Sequence, residues 1–137
     1  LYENRPVALM RLLAHVLATL KLSDDGKCAS LSVTRDAFTK TGAQEYMLDG
    51  FVNYARSIEG VEVATLLSEK DDGRSVKISF RSKGRINVAA IAESLGGGGH
   101  HNAAGATVEA TLDEAQKRLD AIIKQKLPLL DKRAASA

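Results

Sequence analysis

Apolar residues recur along the chain with two different spacings, which predict an alternation of helices and strands. After Pro6, which suits the first turn of a helix, an apolar stripe at helical spacing predicts an amphipathic first helix. Its positions are Leu9, Leu13, Val16, Leu17 and Leu20. Residues 28–34 alternate instead, with Ala29, Leu31 and Val33 on one side, and this pattern predicts a half-buried strand.

The middle of the chain predicts two more helices and a pair of strands. A short helix at residues 35–40 precedes a second amphipathic helix, which Gly60 can end in a left-handed conformation. The apolar positions of that helix are Leu48, Phe51, Val52 and Ala55. Residues 61–68 and 75–82 form two strands, and the Asp-Gly pair between them predicts an antiparallel hairpin.

The last third of the chain predicts helix, strand and helix. Asn87 can cap a third helix, whose apolar positions are Val88, Ile91, Ala92 and Leu95. Residues 106–112 alternate as a strand, and Thr111 with Glu114 forms a capping box for a last helix. That helix turns Ala115, Leu119 and Ile122 inward, and residues 131–137 are expected to fray. We therefore predict an α/β fold with a mixed β-sheet flanked by helices.

Composition narrows the class of protein. The length of 137 residues suits one domain, and 45% hydrophobic with 26% charged residues is typical of a globular chain. A net charge of +2 is too small to argue for a duplex-binding protein with a broad basic surface, so we expect any anionic partner to be held locally. The chain has a single cysteine, Cys28, which cannot form an internal disulfide. We therefore interpret Cys28 as a strand residue of a protein in a reducing compartment, the cytoplasm. The sequence has no apolar run of membrane-spanning length, and because it starts at Leu1 we expect a fragment of a longer protein.

The stretch SLGGGGHHNAAGA, at 94–106, follows the third predicted helix as a loop. Consecutive glycines cost about 0.5–1 kcal/mol each relative to Ala, so they mark places where a side chain does not fit. A connector or helix cap, for which Gly96 would suffice, is one explanation. A backbone that approaches an anion is the other. His100 and Asn102 favour a phosphate site, whereas His101 is interpreted as a polar surface residue.

Other ligand sites fit this stretch poorly. The two histidines have no Asp, Glu or Cys at ligand spacing, so we exclude a self-contained metal site. A Walker loop would need Lys-Ser or Lys-Thr after the glycines, and a dinucleotide fingerprint would need glycines that enter a helix.

A second polar cluster lies in the strand at 75–82. Lys77, Ser79 and Arg81 alternate with apolar residues and share the side opposite the core. A solvated strand face and an anion clamp both remain open for this cluster. Arg81, with Ser82 beside it at the end of the strand, is suitably placed to grip a phosphate or carboxylate at two points.

Three segments resemble one known family. GGGHHNAAG at 97–105 matches the Gly-Gly-Gly-His-x-x-Ala-x-Gly signature of the DHH-associated domain, the C-terminal half of many DHH-family phosphoesterases. FRSKGRINVAAIAESLGGGGH and VNYARSIEGVEVA resemble its other segments. Among subfamilies, the chain looks closest to the bifunctional oligoribonucleases and 3′-phosphoadenosine 5′-phosphate phosphatases, or nanoRNases. The resemblance implies a connector helix at 1–22, from an N-terminal lobe, and a substrate-binding domain at 23–137.

The resemblance also implies how the two lobes divide the chemistry. The N-terminal lobe of that family holds manganese ions through a constellation that includes an Asp-His-His triplet, and this sequence has no such triplet. Manganese is therefore expected in the other lobe, with no catalytic or metal-binding residue here, and this chain alone is expected to be inactive. By similarity, Gly97, Gly98, Gly99 and His100 would hold the terminal or scissile phosphate, Arg81 and Ser82 a second phosphate, and Asn102 and Ala103 the nucleotide.

The leading hypothesis is the substrate-binding lobe of an enzyme that hydrolyses very short RNA and dephosphorylates 3′-phosphoadenosine 5′-phosphate. A cyclic dinucleotide phosphodiesterase or a single-strand exonuclease of the same family is the first alternative. A non-catalytic nucleic-acid-binding module, such as the related domain of alanyl-tRNA synthetases, is the second. The expected partners are short RNA or nucleotide phosphates and the chain's own N-terminal lobe, with no membrane. A homodimer is compatible with the resemblance.

Overall fold

The computed structural model describes residues 4–131, and these residues form a mixed sheet with helices on both faces. The strands are β1 (Lys21–Leu22), β2 (Cys28–Val33), β3 (Val63–Glu69), β4 (Ser75–Ser82), β5 (Gly98–His100) and β6 (Ala103–Glu109). The helices are α1 (Val7–Leu17), α2 (Arg35–Thr41), α3 (Val52–Arg56), α4 (Val88–Glu93) and α5 (Leu112–Leu130), with a 3₁₀ helix at Glu45–Leu48. The predicted α/β class with a mixed sheet is confirmed.

The sheet has the strand order β1-β2-β3-β4-β6-β5. Strands β2 and β3 are parallel, and every other neighbouring pair within residues 4–131 is antiparallel. A parallel pair needs a crossover connection, and α2, the 3₁₀ helix and α3 supply it between β2 and β3. The predicted β3–β4 hairpin is confirmed, with Gly73 at a φ of 67° in its turn.

The two faces of the sheet are covered differently. Helices α4 and α5 cover one face, where Val76, Ile78 and Phe80 of β4 are fully buried. On the other face, which we call the α1–α3 face, the core beneath the helices uses residues of β2 and β3 but none of β4, β5 or β6 among the described residues. We therefore divide the α1–α3 face into a covered half, over β2 and β3, and an open half, over β4, β6 and β5, which adds no residue to that apolar core although α3 also contacts β4.

The first helix follows its predicted stripe only in part. Leu13 and Val16 are buried as expected, but Leu12 is also fully buried. Leu17 and Leu20 are each 40% exposed, so their predicted inward position is wrong. The helix ends at Leu17, and the chain then enters the edge strand β1, which the sequence pattern did not reveal. The predicted division at residue 22 stays a prediction, and residues 1–3 of that connector lie outside the described part.

The second amphipathic helix is shorter than predicted. Gly50 has a φ of 85°, which interrupts helical geometry between the 3₁₀ helix that contains Leu48 and the short helix α3. Gly60 does adopt the left-handed conformation, with a φ of 87°, but α3 already ends at Arg56, so the prediction that Gly60 ends this helix is wrong. The apolar spacing therefore indicates helical structure correctly, but this structure forms two separate elements, the 3₁₀ helix and α3.

The end of α5 is fixed to the sheet. Asp131, predicted to fray, is 3% exposed, and its carboxylate lies 3.2 Å from Arg85 Nε and 3.5 Å from Lys27 Nζ. The fraying prediction is wrong at Asp131, because its buried carboxylate has cationic partners from two other segments. The rest of the predicted tail, 132–137, lies outside the described residues.

Candidate functional site

The glycine-rich stretch is an edge strand rather than the predicted loop. Strand β5 pairs antiparallel with β6, with Gly98 opposite Gly105 and His100 opposite Ala103. A tight turn at residues 101–102 joins the two strands, so β6 begins at Ala103, three residues before the predicted start. The glycines therefore lie in a hairpin at the margin of the sheet.

Three of the four glycines have a structural reason. Gly96 has a φ of 83° at the end of the turn at residues 94–96 that follows α4, and this left-handed conformation is typical of the glycine that ends a helix. A Cβ on Gly97 would overlap the main chain of β6, at the carbonyl oxygen of Gly105. Gly99 combines a φ of 146° with a Cβ position only 2.6 Å from the Cα of Ala104. Gly96 is thus explained by the end of α4, and Gly97 and Gly99 by the close packing of the hairpin.

Gly98 has neither of these reasons. A Cβ built on Gly98 would meet nothing within 4 Å, and its φ is not among the positive values found for other glycines. It shares its row of the sheet with Gly105, opposite in β6, and with Ser79, opposite Gly105 in β4. The backbone is therefore left bare on the open half at a place where the fold has room for a side chain.

The register brings three predicted site residues into one row. Arg81 lies opposite Ala103, and Ala103 lies opposite His100 on its other side. Directly opposite residues of antiparallel strands project to the same face, so this row lies on the open half of the α1–α3 face. Two sequence segments that were predicted separately, 75–82 and 97–105, thus meet at adjacent positions.

The two basic side chains of this row are available to an anion. Arg81 is partly buried, and its Nη1 donates a hydrogen bond of 2.8 Å to the carbonyl oxygen of Phe80. No carboxylate from residues 4–131 forms an ion pair with Arg81. The His100 ring is exposed and has no hydrogen bond to any described residue. Both can donate to a phosphate oxygen, and the remaining Arg81 N–H groups can do so in pairs.

Ser82 lies away from this row. It follows Arg81 in the strand, so its side chain points to the opposite face, where Ser82 is 1% exposed. The hydroxyl of Ser82 accepts a hydrogen bond from Gly84 N–H at 3.3 Å. The structure therefore does not bring the Ser82 hydroxyl beside the Arg81 guanidinium, and it places that hydroxyl in the support of the following turn.

The turn at 101–102 is held by the segment that leads into α4. The His101 ring contacts the carbonyl oxygen of Gly84 at 2.6 Å, and the carbonyl of His101 accepts from Val88 N–H at 2.8 Å. The carbonyl of Asn102 accepts from Ser82 N–H at 3.1 Å, while its side chain is exposed. His101 thus positions the hairpin that carries His100. No sequence signal could reveal this, because the ring's partner is a main-chain carbonyl 17 residues away.

Metal-binding and thiol chemistry find no support among residues 4–131. Across residues 4–131, no three His, Cys, Asp or Glu side chains lie close enough together to hold a metal ion. Burial raises the pKa of the Cys28 thiol to about 11, so Cys28 stays protonated near neutral pH.

A groove of about 620 Å³ lies between the β1–β2 hairpin and α5, away from the row of Arg81, Ala103 and His100. No helix within the described range is long and apolar enough to cross a membrane.

Two carboxyl groups with shifted pKa values belong to turns. Hydrogen bonds from the main-chain N–H of Lys27 and the side chain of Ser23 lower the pKa of Asp25. A hydrogen bond from Arg74 N–H lowers the pKa of Asp72 in the β3–β4 turn. Neither carboxyl lies in the row of Arg81 and His100, so we assign both to turn structure.

Comparison with known proteins places these residues in context. A profile of the DHHA1 domain matches residues 25–125. The bifunctional oligoribonuclease and PAP phosphatase NrnA of Thermus thermophilus is 37% identical over 126 residues, which cover 91% of this chain and 37% of NrnA. The cyclic-di-AMP phosphodiesterase PdeA of Listeria monocytogenes is 45% identical over 64 residues, 46% of this chain and 10% of PdeA.

A solved structure shows the same fold. The crystal structure of an exopolyphosphatase-related protein from Bacteroides fragilis superposes with a TM-score of 0.87 and 32% sequence identity. The match covers 94% of this chain and 38% of that protein. In each of these comparisons the chain spans well under half the length of the matching protein.

Proposed function

Since this chain belongs to the DHHA1 domain family, we propose that it is the substrate-binding lobe of a phosphoesterase that acts on very short RNA and on 3′-phosphoadenosine 5′-phosphate. Membership confirms the resemblance drawn from residues 97–105. The two proposed substrates are those in the name of NrnA, which matches over most of this chain. The observation that carries the proposal is the row of Arg81, Ala103 and His100 beside the bare backbone of Gly98.

Each residue of the row has a distinct task in this proposal. Arg81 pairs with a substrate phosphate through charge-assisted hydrogen bonds. Gly98 lets a phosphate approach the β5 backbone, and His100 donates a hydrogen bond to it. Ala103 leaves the floor of the row open, and the exposed Asn102 amide lies at its edge to meet the nucleoside. These residues bind and orient the phosphate.

Manganese belongs to the other lobe in this proposal. Residues 4–131 do not fit a metal centre, because no cluster of suitable ligands exists among them. When bound in the N-terminal lobe, two metal ions would supply an activated water and stabilise charge on the reacting phosphate. The described residues of this chain would hold that phosphate in position. The enzyme is proposed to work in the cytoplasm, where a free cysteine such as Cys28 stays reduced.

A cyclic dinucleotide phosphodiesterase is the second candidate. The match to PdeA supports it, because PdeA is 45% identical over 64 residues, which are 46% of this chain. The same row of Arg81 and His100 would then hold one phosphate of a cyclic dinucleotide. Comparison of a linear and a cyclic di-adenylate as substrates of the full-length enzyme separates the two candidates.

The proposal predicts different kinetic effects for the two basic residues. In the full-length enzyme, Arg81→Ala removes a contact worth about 1.5–3 kcal/mol, so the KM for a dinucleotide should rise about tenfold to a hundredfold. His100→Ala should also lower kcat, because its hydrogen bond stabilises charge that develops on the phosphate. The measurement is steady-state kinetics with manganese content quantified in each variant.

Lys117→Gln is the matched control, since Lys117 lies on α5 at the other face of the sheet and pairs with Asp113. Unchanged kinetics in both row variants would contradict the proposal. Loss of bound manganese in either variant would contradict the assignment of that residue to the substrate.

A further inference from the structure

The hairpin that carries His100 is attached to a short connector, residues 83–87, which joins β4 to α4. Main-chain hydrogen bonds of 3.1 and 2.8 Å tie the two ends of the connector, at Ser82 and Val88, to the turn at residues 101–102. Between these ends, the His101 ring contacts the carbonyl oxygen of Gly84 at 2.6 Å. The position of the Gly84 carbonyl therefore determines where the His101 ring is held.

Gly84 itself does little to fix this carbonyl. Its φ is 113°, and a Cβ built on it would meet nothing within 4 Å, so no close packing holds its backbone. Glycine also has the widest conformational range of any residue. The Gly84 carbonyl belongs to the planar peptide group that leads into Arg85, so the position of Arg85 sets the direction of that carbonyl.

Arg85 is held by a cluster of four charges. Its Nη2 donates a hydrogen bond of 3.3 Å to Asp131 Oδ2, and its Nε lies 3.2 Å from Asp131 Oδ1 without the alignment of a hydrogen bond. Glu62 Oε1 lies 3.7 Å from Arg85 Nη1, and Lys27 Nζ lies 3.5 Å from Asp131 Oδ2. Two cations and two carboxylates from four segments of the chain thus meet around the connector.

This cluster lies at the same end of the sheet as the phosphate site. Glu62 directly precedes β3, whose first residue lies opposite Ser82, and Arg81 lies opposite Ala103 at the start of β6. The Asp131 side chain is only 4% exposed, and a buried ion pair is a weak source of stability because its charges lose their hydration. A paired guanidinium and carboxylate do, however, define a geometry.

We propose that Arg85 and Asp131 are positioning residues of the phosphate site, which fix the Gly84 carbonyl, and through it the His101 ring and the hairpin that presents His100. This inference rests on the proposed function. Because a carbonyl oxygen only accepts hydrogen bonds, Nε2 of His101 carries the proton in this arrangement. The end of α5 is thereby coupled to the site without touching the substrate.

Binding of 3′-phosphoadenosine 5′-phosphate to the 137-residue chain, measured by calorimetry, tests the coupling. Arg85→Gln should weaken binding about two- to thirtyfold, the range found for residues that act on a site through a contact network. Asp131→Asn should act in the same direction, and it serves as the second variant if Arg85→Gln does not fold. Arg85→Lys keeps the charge opposite Asp131 and should restore part of the affinity.

A double variant tests whether Arg85 acts through His101. If both residues act through one hydrogen bond, Arg85→Gln combined with His101→Ala should bind no more weakly than His101→Ala alone. The ¹⁵N spectrum of the neutral His101 ring gives a direct signature. Nε2 should carry the proton in the wild type, and Arg85→Gln should show a mixture of the two tautomers because the acceptor is displaced.

Thr111→Ala is the matched control for stability. It removes the hydroxyl that accepts from Glu114 N–H at the other end of α5, so it should lower the midpoint of thermal unfolding and leave binding unchanged. The inference is overturned if Thr111→Ala weakens binding as much as Arg85→Gln, or if the losses in the double variant add in full. Unchanged binding in both Arg85→Gln and Asp131→Asn would also overturn it.

Arg81→Ala separates this inference from the proposed function. It should weaken binding because it removes a direct contact with the phosphate. If Arg81→Ala weakens binding while the Arg85 and Asp131 variants do not, only the positioning role fails. If Arg81→Ala has no effect, the proposed function itself fails.

Discussion

The covered and open halves of the α1–α3 face belong to one sheet, yet their outward side chains differ in kind. In the covered half, Leu31 and Leu66 are 1% and 5% exposed beneath the helices. Ser79, which lies opposite Leu66 in the next strand, faces the open half, with Arg81 and Lys77 on either side along β4. The chemistry of the face thus changes between β3 and β4, where the apolar core beneath the helices ends.

Strand direction explains where the apolar core on the α1–α3 face ends. The parallel pair β2 and β3 needs a crossover, and the helices of that crossover lie on the strands that they connect. Antiparallel strands can leave one face to water, and β4, β6 and β5 add no apolar residue to the core on this side. The comparison teaches that polar residues in the open half are free to serve a ligand, because the core does not depend on them.

The largest difference in stability is expected when one residue of each half is replaced by alanine. Leu31→Ala should lower the free energy of unfolding by about 2–5 kcal/mol, since it leaves a cavity beneath the helices. Ser79→Ala should change it by no more than about 0.5 kcal/mol. Urea unfolding of both variants measures the difference. Similar losses in the two variants would mean that the open half is also part of the core.

Local patterns were enough to predict most of the sheet. The alternation in β2 and β4, the β3–β4 hairpin and the Asn87 cap of α4 all depend on neighbouring residues, and all appear in the structure. Strand β1 was missed because two residues cannot show an alternation. The helix predicted across Gly50 failed because apolar spacing does not report backbone conformation.

Substitutions in the glycine stretch should have smaller effects on stability, and they distinguish structural glycines from one that admits a ligand. Gly97→Ala should lower the free energy of unfolding by about 1–3 kcal/mol, because its Cβ overlaps the β6 main chain. Gly98→Ala should leave thermal unfolding nearly unchanged and weaken the binding of an adenosine phosphate, since its Cβ would occupy open space above the row. If Gly98→Ala instead destabilises the fold and spares binding, the whole stretch is structural.

The candidate site was only partly accessible from the sequence. Residues 97–105 and Arg81 could be singled out by composition and by their family signature. Their meeting in one row depends on the β4–β6 and β6–β5 registers, which a single sequence does not specify. The burial of Ser82 follows from the same alternation that turns Arg81 to the opposite face, and the predicted pairing of Arg81 with Ser82 overlooked this alternation.

Nuclear magnetic resonance of the ¹⁵N-labelled chain tests the central claim, that the open half binds a nucleotide phosphate beside Gly98. Titration with 3′-phosphoadenosine 5′-phosphate should shift the amide signals of Gly98, His100 and Ala103 and the side-chain Nε signal of Arg81. The signals of residues in the covered half should stay in place. The claim is contradicted if these four signals do not move while shifts appear in the groove between the β1–β2 hairpin and α5, at Gln116 and Ile123.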